Sequence, residues 1–199
     1  MTDDLHLMTR WQGGDREAGA QLIEAHYESI ARFFHNKVGD ASDDLVQRTF
    51  LVAVESASKF RGDSSFRTFL FGVARNVLFD HYRDRRRDQR VDPDFGLSSV
   101  FDLDPSPSQI VARHVEERLL LEALRRIPLE LQVAVELFYW EGVSIRDLAQ
   151  IQQVALGTIK SRLHRARRLL VEQIERLDPG LGSQIAAQLD GPSGGAPAP

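Results

Sequence analysis

The 199-residue sequence contains no cysteine. That excludes disulfides, thiolate zinc sites and cysteine nucleophiles together. No uninterrupted apolar run approaches the ~20 residues of a membrane-spanning helix. The amino terminus, MTDDLHLMTRWQGGD, opens with two acids where a signal peptide carries basic and apolar stretches. The expected compartment is the cytoplasm. Gly-rich phosphate loops and nucleophile elbows are missing as well. The six histidines (6, 26, 35, 81, 114, 164) are scattered, with no HxH or HxxxH pair. No catalytic centre, metal or cofactor is expected, and the histidines read as packed or solvated side chains.

What is present is segregated charge. The net charge is -4, which as an average speaks against a nucleic-acid partner. Locally the picture differs. Arg75–Arg90 carries six arginines against Asp80, Asp84 and Asp88, and Leu156–Arg168 carries Lys160, Arg162, Arg165, Arg167 and Arg168 with no acid. Val91–Ile110 between them holds four aspartates and no base. At physiological salt each patch acts over roughly 8 Å, so local charge decides the partner.

The stretch VDPDFGLSSVFDLDPSPSQ (91–109) has three prolines, four serines and no helical period, the marks of a linker. It separates a first block, 10–88, from a second, 110–178; the Gly/Pro/Ala/Ser-rich tail, 179–199, reads as disordered. Both blocks show helical spacing and no strand alternation. In the first, Leu22, Ile23, Tyr27, Ile30, Phe33 and Phe34 form one stripe, broken at Gly39. Ser42 then reads as the cap of a helix bearing Leu45, Val46, Phe50, Val54 and Ala57. A turn at Arg61–Ser64 precedes a third helix bearing Phe66, Phe69, Leu70, Val73 and Val77. The second block divides into Ile110–Ile127, Leu129–Trp140, Ser144–Ile151 and Leu156–Arg176. The expected fold is all-α: two small helical domains on a flexible linker, the second containing a helix-turn-helix.

The sharpest signal lies in that last pair. Ile159, Leu163, Ala166 and Leu170 make a narrow apolar stripe, leaving Thr158, Lys160, Ser161, Arg162, Arg165 and Arg168 as donors and cations on the other positions. Such a helix, behind a short helix and a tight turn, has the chemistry to read guanine edges and phosphates in the major groove. The third helix of the first block is a weaker candidate. Phe71, Arg75, Phe79, Tyr82 and Arg86 lie away from its core stripe. Interleaved aromatics and arginines suit single-stranded nucleic acid, but packing of Phe71 and Phe79 against neighbouring helices explains them as well.

The run DDLVQRTFLVAV…KFRGDSSFRTFLFGVARNVLFDHYRDRRR, then a proline-rich linker, then IPLELQVAVELFYWEGVSIRDLAQIQQVALGTIKSRLHRARRLL, resembles the bacterial RNA polymerase sigma factors of the extracytoplasmic-function (ECF) group. The likeness covers residues 10–175. It implies binding to core RNA polymerase, direction of that enzyme to promoter DNA, and control by an anti-sigma factor. It also implies site residues. Asp44, Gln47 and Phe50 fall in the D-x-x-Q-x-x-F segment that docks on the polymerase clamp helices. Phe60, the loop Arg61–Ser65 and Asn76 match the pocket for a flipped base of the minus-ten element, with the arginines beyond following the backbone. Lys160, Ser161 and Arg165 match contacts to the minus-thirty-five element. Three positions depart from the pattern: Arg48 is often acidic in the family, Gln153 stands at a turn glycine, and Ala155 replaces a frequent proline. The alternative is a stand-alone helix-turn-helix repressor or activator, which would need two-fold symmetry and paired half-sites roughly 34 Å apart.

Overall fold

The computed structural model describes residues 2–89 and 115–179, and among these all regular structure is helical. The linker (Gln89 apart), the helix start expected at Ile110 and the tail beyond Pro179 lie outside the described residues. The first block holds α1 (Thr2–Gln12), α2 (Arg16–Val38), α3 (Ser42–Ser56) and α4 (Phe66–Gln89). The second holds α5 (Val115–Arg125), α6 (Leu129–Tyr139), α7 (Ile145–Gln152) and α8 (Leu156–Leu177).

Helix α1 is not apparent from the sequence pattern. It buries Leu7 and Met8, and its Trp11 lies over Gly19 of α2, where a Cβ would come within 2.6 Å of the indole. Asp15 caps α2 by accepting from the amides of Glu17 and Ala18 at 3.0 and 3.2 Å, while Arg10 donates to its other oxygen. All of these bonds favour the ionised form, and the Ala18 amide and then Arg10 do most to hold the Asp15 carboxyl below its ordinary pKa. Gly39 ends α2 at a φ of 54°.

Ser42 is not a cap. A 3-10 turn at Gly39–Ala41 runs directly into α3, the Ser42 amide donates back to Gly39, and Ala41 occupies the cap position with no side-chain bond. Val54 also leaves the expected stripe. The buried side of α3 is Leu45, Val46, Thr49, Phe50 and Ala53, with the Thr49 hydroxyl satisfied by the Leu45 carbonyl at 2.7 Å. One residue past Ala53 the helix has turned about 100°, and Val54 faces outward.

The two blocks pack against each other, which their sequences do not announce. Helix α4 lies on α3 and on α7, and α2 touches α5, so one apolar core runs through both blocks. Two carboxylates of the second block cross the seam. Glu136 of α6 is ion-paired with the fully buried Lys37 of α2 and also accepts from Asn36 (3.4 Å) and Gln132 (2.9 Å). Glu141 is gripped by Arg32 at 2.8 Å and Arg67 at 2.7 Å. Burial pushes the Lys37 ammonium below the ordinary lysine pKa, and the Glu136 carboxylate opposes that shift.

Candidate nucleic-acid interface

The helix-turn-helix forms as its sequence predicts. Ser144 caps α7, its hydroxyl oxygen accepting from the Asp147 amide at 3.1 Å. The helix ends in a left-handed residue, Gln153, at φ 55° and ψ 44°. The Gln153 amide donates to Gln150 at 3.2 Å and the Val154 amide to Ala149 at 3.0 Å, the paired bonds of a Schellman closure. Helix α8 then starts after an extended Ala155 that makes no side-chain cap bond. Ile159, Leu163, Ala166 and Leu170 are all buried, and Lys160, Ser161, Arg165 and Arg168 are exposed. Thr158 is half-buried. Arg162 differs from its neighbours. It is ion-paired with Glu130 and donates to Gln152, whose amide in turn donates to the Glu130 carbonyl at 3.0 Å. That arginine fastens α8 to α6 and α7.

The α4 surface has two sides. Phe71, Phe79 and Tyr82 are buried, so they pack, and Tyr82 donates to the Lys37 carbonyl. Arg75 is half-buried, with its guanidinium 4.4 Å from the Phe79 ring centre and a bond of 3.2 Å to Asn76 Oδ1. Burial lowers its pKa, the Glu130 carboxylate from the other block raises it, and Arg162 lowers it further. On another face, Phe69, Gly72 and Asn76 fall at i, i+3 and i+7, in line. The Phe60 ring lies 5.3 Å from Phe69, Asn76 is exposed, and a Cβ added at Gly72 would meet nothing within 4 Å. Phe69 and Asn76 are thus about 10 Å apart along the axis, with bare helix between them. The preceding loop turns at Gly62 (φ 77°), leaves Arg61 exposed, and closes on Ser65, whose oxygen accepts from the Thr68 amide at 3.0 Å.

On α3, Asp44 and Gln47 are exposed on one side and Phe50 is buried, stacked on Tyr27 at 6.0 Å. The apolar groups that reach solvent beside them are Leu51, Val54 and Tyr27. Sequence reasoning sets Tyr27 and Val54 on apolar stripes that the structure leaves open at these positions and does not single out Leu51, and it misses Lys37, Glu136 and Glu141. The last group does leave a signal. Lys37 continues the α2 stripe of Ile30, Phe33 and Phe34 at i+7, and Glu136 interrupts the apolar run VAVELF. Among the described residues, no cluster of His, Asp and Glu has metal-binding proximity, and no helix is long and apolar enough to cross a membrane.

The profile of sigma-70 region 2 matches residues 22–88, and that of sigma-70 region 4 matches residues 117–170. The chain is 31% identical over 184 residues to the RNA polymerase sigma-H factor of Pseudomonas aeruginosa, covering 87% of this chain and 95% of that one. It is 30% identical over 180 residues to the ECF RNA polymerase sigma factor SigM of Mycobacterium tuberculosis, covering 89% and 88%. Among solved structures it is similar to the sigma factor RpoE of Bartonella quintana, crystallised with the anti-sigma factor NepR. The TM-score is 0.62 at 28% identity, over 80% of this chain and 97% of that one.

Proposed function

The chain belongs to the sigma-70 family, in its ECF group, and so binds core RNA polymerase and directs it to promoters; from that premise we propose how its surfaces divide the work. Residues 10–88 form one working unit and 110–178 the other. The exposed side of α3, with Asp44 and Gln47 beside Leu51 and Val54, docks on polymerase. Phe50, being buried, supports that face from behind. The line Phe60–Phe69–Gly72–Asn76, flanked by Arg61 and Arg75, receives a base extruded from the minus-ten element. Extrusion costs a few kcal/mol, which attachment to polymerase offsets. Lys160, Ser161, Arg165 and Arg168 of α8, with Thr158 at its start, face the minus-thirty-five element in the major groove.

The observation that carries this reading is the outer face of α8 over residues 156–168, cationic and free of acids, above a buried stripe. Recognition is all the chain supplies; nucleotide chemistry stays with the polymerase, and no catalytic group of its own is required. It acts in the cytoplasm, where polymerase and chromosome are. An inhibitory partner of the anti-sigma class, as held by the Bartonella relative, is the expected third partner. The test is co-purification with core polymerase. Asp44→Ala plus Gln47→Ala should abolish it with the domain still folded, and promoter opening should appear only when polymerase is added. A purified chain that binds a palindromic duplex tightly as a dimer, with or without these substitutions, overturns the reading.

A further inference from the structure

The segment ahead of the sigma-70 region 2 match grips the loop assigned above to base recognition. Helix α1 ends before residue 22, where that match begins. Its last residue, Gln12, donates from a single Nε2 to two backbone carbonyls more than forty residues away: Ala57 at 2.9 Å and Phe60 at 2.8 Å. The residue before it, Trp11, meets Phe66 edge-on at 6.2 Å between ring centres. Phe60 precedes the turn at Gly62 and Phe66 begins α4 after it. Two adjacent side chains of α1 therefore hold the loop at both of its ends.

The position of α1 is itself fixed. Gly19 leaves room for the indole that any Cβ would displace, and Asp4 pairs with His26 at 2.9 Å. The Phe60 ring packs on Phe66 and Phe69 and Ser65 closes the far end, but the backbone at the loop's entrance has few bonds of its own. At its entrance the Phe60 amide donates to Ala57 at 3.2 Å, and Gln12 takes up the Phe60 carbonyl together with a second lone pair on Ala57. A neutral amide suits this task, because its NH2 has two hydrogens to give two acceptors. A carboxylate of the same shape would offer oxygens to oxygens.

We infer that Gln12 is a positioning residue for promoter selectivity: it sets the 57–65 loop, and with it the Phe60 ring, in the orientation that reads the extruded base. The inference rests on the base-pocket reading. It does not need Gln12 to touch DNA. A preorganised loop discriminates between bases better than one that orders only on contact.

The experiment compares full-length wild type with Gln12→Leu and Gln12→Glu, each reconstituted with core polymerase. Transcription is measured on a promoter set differing only in the minus-ten base opposite the pocket. Both variants should lower the ratio between favoured and disfavoured bases roughly three- to tenfold, the size of one or two lost hydrogen bonds. Polymerase affinity should hold, the melting temperature should fall by no more than a few degrees, and amides 58–65 should exchange faster with solvent. Equal loss on every base, with the ratio intact, assigns Gln12 a purely structural role and overturns the inference. Phe60→Ala and Asn76→Ala run alongside. If they change the ratio and the Gln12 variants do not, Gln12 alone is misassigned. If none of the four changes it, the pocket reading fails, and this inference with it.

Discussion

Gln153 is the one residue other than glycine with positive φ among those described. The left-handed region costs an L-residue with a Cβ roughly 1–2 kcal/mol, while glycine there gives back about 0.5–1 kcal/mol through its freer unfolded chain. The balance favours glycine. Gln153→Gly should raise stability by about 0.5–1 kcal/mol, which for a chain of this size is roughly a 2 °C rise in melting temperature. Thermal unfolding measures it directly, and a fall would mean that the Gln153 side chain contributes something beyond its backbone. The strain sits at the junction that aims α8. A sequence that tolerates it keeps the turn by its two backbone bonds alone.

At the level of the helix, α8 separates two kinds of arginine that the sequence presents alike. Arg165 is exposed and Arg162 is tied to Glu130 and Gln152. Arg165→Ala should weaken minus-thirty-five recognition by about 1–3 kcal/mol at one base position and leave the fold unchanged. Arg162→Ala should instead lower the melting temperature and reduce activity alike on every promoter sequence. Footprinting on single-base promoter variants, beside a melting curve, tells the two apart. Most of the helices were legible because apolar spacing records the face each one buries: the α8 stripe and the Ser144 cap appear as expected. Helix α1 was not, because Leu7, Met8 and Trp11 bury too few positions to set a period and Leu5 is exposed. The candidate site was legible by residue type on α8 and, through family resemblance, on α3 and the loop. Phe50 stood on the apolar stripe, so its inward position was legible, but that Arg162 is already engaged depends on neighbours from distant elements, of which periodicity carries no record.

For the whole molecule the question is size. The minus-ten and minus-thirty-five elements are about 85 Å apart at ~3.4 Å per base pair, whereas a compact chain of this length is roughly 40 Å across. Both elements cannot be held by the packed form at once, so the two blocks part on a promoter, and the Lys37–Glu136 pair must come apart. Replacing only one partner strands a buried charge at about 3–5 kcal/mol, while replacing both with apolar groups is neutral or stabilising. Glu136→Leu should therefore favour the parted form. Lys37→Met with Glu136→Leu should hold the blocks together and lower transcription. The absence of cysteine makes the measurement clean, since dyes on cysteines introduced at exposed Glu24 and Glu172 report the separation without further changes. Equal energy transfer in all three proteins, free and on the promoter with polymerase, contradicts the expectation.

The seam also redistributes electrostatics between the blocks. While they are packed, Lys37 is paired with Glu136, and Arg32 and Arg67 share the single carboxylate of Glu141. Once parted, the first block is left with three unmasked cations and the second with two bare carboxylates. Any of those cations that reaches a phosphate displaces condensed counterions from the duplex, adding about 0.9 to the slope of log affinity against log salt. Ionic strength then acts twice on the solvent-reachable Arg32 and Arg67: it weakens their hold across the seam, and it weakens the grip on DNA that their release makes available, while the buried Lys37–Glu136 pair is screened far less.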